Sequence, residues 1–210
     1  MHSHEYGISW LNILAEAQPS VMMATGFRGF AAQFPRGALS RFYLQCEPTD
    51  TVEDWPDDRI WNELRLRLGM PELKNAPIDD RMIFPLRSVV FEPMRYRNLF
   101  LVGDAAHIIS PVGGKGMNLA LFDAETFVLA VRKFSETGDT SRLDGYSDTC
   151  LHRTWNYQEY SAWCTEMLHD PADMTNAGSF RANLARARLS RLLTSTDSGR
   201  AYSELAAGLA

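Results

Sequence analysis

The chain has 210 residues, which is enough to bury one sizeable hydrophobic core or two small ones. Its content of 45% hydrophobic and 22% charged residues is ordinary for a water-soluble globular protein. A formal net charge of -5, with the basic residues dispersed along the chain, argues against a nucleic-acid-binding protein. Apolar runs fall short of the ~20 residues that a membrane-spanning helix needs. We therefore expect a cytoplasmic protein with neither a nucleic-acid nor a membrane partner.

The cysteines and the first histidines carry no sign of a metal site. Cys46, Cys150 and Cys164 are widely spaced and odd in number, which indicates a reducing compartment and neither a disulfide framework nor a zinc centre. The N-terminal residues do not follow the plan of a signal peptide. We expect His2 and His4 to lie in a frayed N-terminus and not to bind a metal.

Short apolar or alternating runs predict strands in the first part of the chain, at residues 9–15, 21–24, 29–33 and 39–45. Their tight links favour an antiparallel sheet. By the period of two, Arg41 and Tyr43 share one face of the last of these strands. Residues 52–69 predict a helix with an acidic start, a basic end and Gly69 as its stop. Residues 82–91 predict a strand broken at Pro85, with Arg87 as its single charge.

Residues 98–134 predict a buried strand at 99–102, a sharp turn at Gly103-Asp104, a glycine-rich loop and a long helix. Backbone N–H groups at such a helix start can hold an anion or an electron-rich ring edge. Gly113, Gly114 and Gly116 allow positive φ and close approach of a ligand, and Lys115 adds a positive charge. A glycine-rich helix start can also simply satisfy packing.

Helical spacing in the same segment predicts one core-facing side of the long helix. The residues on that side are Met117, Ala120, Leu121, Ala124, Phe127, Val128, Val131 and Phe134. Later in the chain, helices are predicted at 141–168, 177–193 and 198–207, with a turn containing Pro171.

Two common motifs do not fit the glycine-rich loop. A phosphate-binding loop of the G-x-x-x-x-G-K-[ST] type requires glycine at Ile109 and a hydroxyl at Gly116. A hydrolase nucleophile elbow requires glycines on both sides of Ser110, and they are absent.

Residues 103–120 read G-D-A-A-H-I-x-x-P-x-G-x-K-G-x-N-L-A, which resembles the second flavin-contacting motif of the group A flavoprotein aromatic hydroxylases. The similarity begins with Y-G-I-S-W-L at 6–11 and continues with R-G-F at 28–30, S-R-F-Y at 40–43 and V-E-D-W at 52–55. P-L-R-S at 85–88 and E-P-M at 92–94 extend it towards the C-terminal helices. The resemblance covers nearly the whole chain, but the chain matches only the C-terminal half of the proteins in that family.

The motif G-x-G-x-x-G is missing, since Leu119 stands at the final glycine position of the nearest candidate. In this family that motif lies on the first βαβ unit and binds the pyrophosphate of the dinucleotide. The resemblance therefore implies an α/β (α+β) protein without its N-terminal dinucleotide-binding unit. A mostly antiparallel substrate-binding sheet region (1–97) would precede a flavin-contacting strand–turn–helix segment (98–136) and a C-terminal helical region (137–210). We expect a fragment, a truncated gene product or half of a split enzyme, which alone holds FAD weakly or not at all.

The resemblance also implies roles for residues of the loop. Asp104 matches the aspartate that hydrogen-bonds the ribityl chain of FAD. Pro111 matches the proline whose carbonyl faces the substrate and the flavin ring. The pyrimidine edge of that ring would lie against Gly113, Lys115, Gly116, Met117 and Asn118. Pro111 and Lys115 would be the catalytic residues.

Four further positions have matches in the family. Arg41 matches an arginine near the flavin, and Arg87 matches one implicated in the NADPH site. Arg36 and Tyr43 match the residues that bind the carboxylate of an aromatic acid, a role suited to the planar fork of an arginine. Alternatives stay open: Arg36 in a solvated turn, Tyr43 as a half-buried strand residue, and Arg87 paired with Glu92. His107 is expected to be a hydrogen-bonded structural residue.

The chain departs from the members of the family that act on 4-hydroxybenzoate. Phe34 stands where those enzymes have a serine. Of the two tyrosines that deprotonate the phenol in those enzymes, the first falls at Met23-Ala24, where this chain has no tyrosine, and the second falls near Ala206, so the usual proton relay is not visible in the sequence. The hypothesis is therefore a portion of an FAD-dependent monooxygenase that uses NADPH or NADH and O2 on another small, benzoate-like aromatic substrate. The missing N-terminal half or a separate subunit would be its partner, and a homodimer is compatible with the sequence. The rival hypothesis is a non-catalytic remnant, or one subunit of a split flavoprotein, that binds a small aromatic acid.

Overall fold

The computed structural model describes residues 1–17, 20–26, 28–169 and 180–208. These residues form two compact units. Residues 6–86 and 166–188 form the first, here called the sheet unit, and residues 1–5, 87–165 and 189–210 form the second, here called the loop-helix unit. The three functional segments expected from the sequence stay a prediction.

Eight strands are described. They are β1 (His2–Glu16), β2 (Met22–Ala24), β3 (Ala31–Arg36), β4 (Leu39–Cys46), β5 (Ile78–Val90), β6 (Arg95–Tyr96), β7 (Leu99–Phe100) and β8 (His107–Ile108). One sheet has the order β2-β3-β4-β1-β5-β8, and β6 and β7 form a separate hairpin. The pairs β2–β3, β3–β4, β1–β4 and β5–β8 are antiparallel, so the predicted antiparallel sheet is confirmed.

The core of the sheet unit lies between one face of the sheet and helix α1 (Asp57–Leu68). Phe42 and Leu44 alternate along β4 towards this core, and the ring of Phe42 lies 5.7 Å from that of Trp61 on α1. A 3-10 turn, Val52–Asp54, precedes the helix, and Gly69 ends it at a positive φ of 65°. The predicted helix over 52–69 is therefore confirmed, with Pro56 separating the turn from α1.

A buried arginine ties α1 to the sheet. The guanidinium of Arg67 donates to Glu63 at 2.8 Å and to the carbonyl of Gln45, at the end of β4, at 2.7 Å. The carboxylate of Glu63 also accepts from Arg28. Burial lowers the pKa of Arg67, and the Glu63 carboxylate opposes that effect. The buried charge is thus paired, as its desolvation requires.

The prediction that Pro85 breaks the strand over 82–91 is wrong, since β5 runs through it. In the described part of the chain β8 pairs with β5 only at Val89 and Val90. Near Pro85 that edge of β5 has no strand neighbour among the described residues, and a residue without an N–H is tolerated there.

The helices are α2 (Gly116–Thr137), α3 (Ser141–Asp144), α4 (Tyr146–Leu168), α5 (Phe180–Thr194) and α6 (Thr196–Ala207). The predicted helices are confirmed, with a break at Gly145 between α3 and α4. The predicted Pro171 turn and residues 177–179 lie outside the described residues. In the loop-helix unit, a core cluster joins Val90, Met94 and Ala106 to Tyr146 and Cys150. None of the helices in the described ranges has the length and apolarity to cross a membrane.

Three sequence predictions fail in the loop-helix unit. His2 belongs to β1 and contacts Glu92 at 3.3 Å, so the N-terminus is not frayed. The predicted buried strand at 99–102 is reduced to Leu99–Phe100, and Leu99 is 62% exposed, because this strand pairs only with the short β6. The side of α2 that was expected to face the core is exposed, at Met117, Leu121, Val128, Val131 and Phe134. The buried residues of the helix, Leu119, Asp123 and Ala130, lie outside that predicted side.

Candidate functional site

The turn at Gly103 is held tightly against α2. Gly103 has a φ of 61°, and a Cβ at this position would lie 3.1 Å from the Cβ of Ala120. Glycine therefore meets two requirements here: it adopts the left-handed backbone conformation, and it lets the turn approach the helix closely because it has no Cβ. The next residue, Asp104, is exposed.

A buried carboxylate fixes this turn from beneath. Oδ2 of Asp123, on α2, accepts a hydrogen bond from the backbone N–H of Gly103 at 3.0 Å and lies 2.8 Å from Nε2 of His107. The side chains of Asp123 and His107 are 0% and 1% exposed. The structural role predicted for His107 is thus confirmed. Asp123 was not found from the sequence, although a carboxylate on the side of a helix that also carries Leu119 and Ala130 is a signal for such a contact.

Helix α4 holds the segment between β8 and the glycines. Gln158 donates to the carbonyl of the last β8 residue, and Ser161 contacts the carbonyls of Ser110 and Val112, each at 2.8 Å. Thr165 lies 2.8 Å from the hydroxyl of Ser110. Gln158, Ser161 and Thr165 follow helical spacing, so one side of α4 positions the backbone on both sides of Pro111. These hydroxyl and amide residues were also missed by sequence reasoning, because they contact residues remote in the chain.

The glycines differ in what surrounds them. Gly113 has a φ of 95°, and a Cβ there would lie 2.7 Å from Cε1 of Tyr160. Gly114 has a φ of 65° with no heavy atom within 4 Å of the corresponding Cβ position. The loop is therefore packed against α4 at Gly113 and open at Gly114.

The start of α2 can receive an electron-rich group. Within the described ranges no side chain caps this helix, and no acidic residue lies in its first turn. By helix geometry, the N–H groups of Gly116, Met117 and Asn118 lack acceptors inside the helix. These donors fit the carbonyl-bearing edge of a flavin ring, so the residues present are compatible with FAD.

Lys115 lies under the loop. It is 6% exposed, and its Nζ donates to the carbonyl of Ala206, at the end of α6. The same Nζ lies 5.6 Å and 6.0 Å from the ring centroids of Tyr157 and Tyr160. The other residues assigned to the flavin or its substrate here, which are Asp104, Pro111, Gly113, Met117 and Asn118, are exposed, and Gly116 is half-buried. The positive charge of Lys115 is therefore buried, whereas most of the residues that would contact the flavin or its substrate are at the surface.

Arg36, Arg41 and Tyr43 share one face of the sheet unit. Phe34 is opposite Arg41 and Arg36 is opposite Leu39, so the two arginines are diagonal neighbours. Arg41 donates to Oδ1 of Asn12 at 2.9 Å. Arg36 is exposed and has no hydrogen bond or ion pair to another described residue.

Aromatic rings cover the neighbouring part of this face. The ring of Trp10 lies 4.8 Å from Tyr43, 5.4 Å from Phe30 and 6.2 Å from Phe84. Its indole N–H donates to Nε2 of His169 at 2.8 Å, so this nitrogen is an acceptor. His169 is 159 positions from Trp10, and no sequence pattern pointed to it.

Arg87 lies on β5 and is exposed. The alternative pairing with Glu92 is not found, because Glu92 contacts His2. Arg87 makes no ion pair with any residue that the structure describes. The structure thus brings together Arg36, Arg41 and Tyr43 in the sheet unit and residues 104–118 in the loop-helix unit, where Arg87 also belongs.

Comparison with known proteins decides the family. The family model described as "FAD binding domain" matches residues 1–161. The chain belongs to the FAD-binding-domain family. It is 39% identical over 198 residues to the p-hydroxybenzoate hydroxylase of Acinetobacter baylyi, a match that covers 91% of this chain and 48% of that protein.

Two solved structures show the same fold. The OxyS anhydrotetracycline hydroxylase from Streptomyces rimosus aligns with a TM-score of 0.73 and 16% identity, over 98% of this chain and 41% of that one. The p-nitrophenol 4-monooxygenase from Pseudomonas putida DLL-E4 aligns with a TM-score of 0.71 and 17% identity, over 98% of this chain and 54% of that one.

These comparisons confirm the resemblance found at residues 103–120 and the mixed α/β fold expected from it. The FAD-binding-domain family contains FAD-dependent aromatic monooxygenases and is a family of oxidoreductases. The chain spans about half of the p-hydroxybenzoate hydroxylase that it matches, since the match covers 48% of that protein.

Proposed function

We propose that the chain is the substrate- and flavin-facing portion of an FAD-dependent monooxygenase, which consumes NADPH or NADH and hydroxylates a benzoate-like aromatic substrate with O2. The observation that carries the proposal is the segment 104–118, in which the residues assigned to the flavin are mostly exposed, the helix start has no side-chain cap, and Asp123 and α4 fix the backbone from the buried side. When bound, reduced FAD would supply the electrons that activate O2 for transfer of one oxygen atom to an electron-rich ring.

The loop residues would orient the flavin. The Asp104 carboxylate would accept hydrogen bonds from hydroxyls of the ribityl chain, and the N–H groups of Gly116, Met117 and Asn118 would face the ring edge. Lys115 would favour negative charge there from its buried position, where low polarity strengthens its field. The Pro111 carbonyl, fixed by its neighbours' bonds to Ser161, would face the substrate.

The sheet unit would bind the aromatic acid. Arg36 has no partner among the described residues, so its guanidinium is available to a carboxylate in a two-bond arrangement. Arg41 is already bonded to Asn12 and would contribute charge from a fixed position. Tyr43 would add a hydroxyl, and the adjacent ring of Trp10 an apolar surface. The exposed Arg87 would contact a phosphate of NADPH or NADH.

The substrate is proposed to differ from 4-hydroxybenzoate. The half-buried ring of Phe34 lies 6.1 Å from the ring of Tyr43, at a position where a serine hydroxyl would otherwise be expected. A substrate whose ring is activated by another group would not need a phenol deprotonated by the protein.

The test combines this chain with a dinucleotide-binding half in one polypeptide and supplies NADPH or NADH, ¹⁸O2 and a panel of substituted benzoates. One ¹⁸O atom in a hydroxylated product is the expected result. Asp104→Asn should weaken FAD retention, whereas Asp148→Asn, which alters an exposed carboxylate on α4, should not. FAD retention without ¹⁸O in any product would contradict the monooxygenase assignment.

Arg36, which has no partner among the described residues, also fits a second candidate, a non-catalytic remnant or a single subunit of a split flavoprotein that binds a small aromatic acid. It is distinguished by titrating the chain alone with benzoate and following Trp fluorescence. Saturable binding that is lost in Arg36→Ala, together with no turnover in any combined form, would favour this candidate.

A further inference from the structure

A cavity of about 370 Å³ lies in the loop-helix unit, where α2, α3 and α4 meet. It is lined by Thr126 and Leu129 of α2, Ser141 and Arg142 of α3, Gly145 between α3 and α4, and Thr149 in the first turn of α4. Because Leu129, Arg142 and Thr149 are exposed, the cavity is open to solvent. Cavities of roughly 300–1,000 Å³ are typical of sites for small molecules.

The cavity is separate from the flavin loop. Thr126 lies ten residues beyond Gly116 on α2, which is roughly 15 Å along the helix axis at 1.5 Å per residue. None of the residues assigned above to the flavin, the nicotinamide or the aromatic acid lines the cavity. A ligand held there would therefore bind together with the flavin and not in its place.

Two donors at the cavity are available to a ligand. The guanidinium of Arg142 makes no hydrogen bond or ion pair with any residue that the structure describes. The hydroxyl of Thr149 likewise has no hydrogen-bond partner within the described ranges. A charged fork of donors and a neutral hydroxyl thus lie on facing elements of the same opening.

The carboxylates beside the cavity are engaged elsewhere. The backbone N–H of Ser141 donates to Asp139 at 2.9 Å, and this bond together with that of the Ser141 hydroxyl lowers the pKa of Asp139. Arg142 acts on Asp139 only at longer range, without forming an ion pair. Asp144 accepts from Arg95 at 2.7 Å. Neither carboxylate therefore takes the place of a ligand on Arg142.

The chemistry of the lining favours one class of ligand. A carboxylate accepts two parallel hydrogen bonds from a guanidinium and has lone pairs left for a hydroxyl. Leu129, which is 42% exposed, adds an apolar side chain that a ligand with an apolar body would cover. We propose that the cavity binds a small organic acid, whose carboxylate contacts Arg142 and Thr149 and whose apolar body lies against Leu129. Inorganic phosphate fits less well, because it has no apolar part.

Arginine labelling tests the site in the 210-residue chain. Phenylglyoxal modifies accessible arginines, and mass spectrometry of the digested protein gives the rate at each position. The rate at Arg142 is measured with increasing sodium benzoate as the probe, at constant ionic strength. Arg200, an exposed arginine of α6 without a described partner, is the matched control.

Benzoate should protect Arg142 saturably, slowing its modification roughly 10-fold at ten times the half-protecting concentration. The rate at Arg200 should not change. Thr149→Val, which keeps the volume but removes the hydroxyl, should raise the half-protecting concentration roughly 5-fold. Circular dichroism of the variant checks that it is folded.

Three results would overturn the proposal: no protection of Arg142, equal protection of Arg200, or a half-protecting concentration that Thr149→Val leaves unchanged. Equal protection by inorganic phosphate would assign the cavity to anions in general and would also overturn it. The same digest reports Arg36, so the aromatic-acid site proposed for the sheet unit is tested separately. Protection at Arg142 without protection at Arg36 would support the cavity and count against that site.

Discussion

Oδ2 of Asp123 lies 2.8 Å from Nε2 of His107, and both side chains are buried beneath the turn that presents Asp104. The same oxygen accepts the N–H of Gly103 at 3.0 Å. One carboxylate on α2 thus holds Gly103, which begins a 3-10 turn (Gly103–Ala105), and His107, which begins β8, so the backbone on both sides of Asp104 is fixed.

Replacing Asp123 by Ala should therefore destabilise the protein. The substitution leaves the N–H of Gly103 and the ring of His107 buried without their acceptor, at a cost of about 3–5 kcal/mol. Urea unfolding followed by circular dichroism measures the change. Asp148→Ala, on the exposed side of α4, should change the free energy of unfolding by less than about 0.5 kcal/mol. Equal stability of the two variants would contradict the role given to Asp123.

Gly113→Ala and Gly114→Ala should differ. Both glycines have positive φ, so alanine at either costs about 1–2 kcal/mol of backbone strain. Only at Gly113 does the new Cβ also meet Tyr160, 2.7 Å away. Thermal unfolding should therefore show the larger loss for Gly113→Ala, and adding Tyr160→Leu should recover part of it. If both glycine variants melt alike, Tyr160 does not support the loop.

The buried thiols predict a loss of stability at alkaline pH. Burial raises the pKa of Cys46 and of Cys150 from 9.0 to about 12, while the unfolded chain ionises near the lower value. The folded state therefore holds more protons between these values. The free energy of unfolding is unaffected by these thiols below pH 9 and should fall above it, by about 1.4 kcal/mol per pH unit for each thiol.

Urea unfolding at pH 8, 9, 10 and 10.5 measures this slope. Cys46→Ala with Cys150→Ala should remove the part that the two thiols contribute. An unchanged slope in that double variant would show that other groups determine the alkaline loss.

Arg36 is expected to select the carboxylate of the substrate in the assembled enzyme. Arg36→Lys keeps the charge but loses the two-bond geometry, so KM for a benzoate should rise roughly 10-fold while kcat changes little. Arg200→Ala removes an exposed arginine from α6 and should leave KM unchanged. An unaltered KM in Arg36→Lys would assign Arg36 to a solvated turn.

Sequence patterns were sufficient where a local rule applied. The alternation along β4 placed Arg41 and Tyr43 on one face, and Gly69 marked the end of α1. The period of the apolar residues in α2 found the helix but not its buried side, because the helix is apolar on two sides and periodicity cannot choose between them. The same ambiguity affected residues 99–102, whose apolar run does not reveal which neighbour is present.

The remaining features depend on contacts between distant parts of the chain. Trp10 and His169 are 159 positions apart, and Ser161 reaches the carbonyl of Ser110 across 51 positions. Short-range propensity carries no information about such pairs, so the polar support under the loop became visible only in the folded chain.

The carbonyl of Ala206 lies 91 positions beyond Lys115, yet it accepts a hydrogen bond from that ammonium group. The electrostatic potential above the glycines is consequently set in part by the last turn of the final helix, where no recognisable motif exists. A chain shortened before that turn would leave the lysine to solvent, where water and salt would screen its charge. Mutations near the C-terminus can thus alter the affinity of the loop for an electron-rich ligand without touching any residue of the loop.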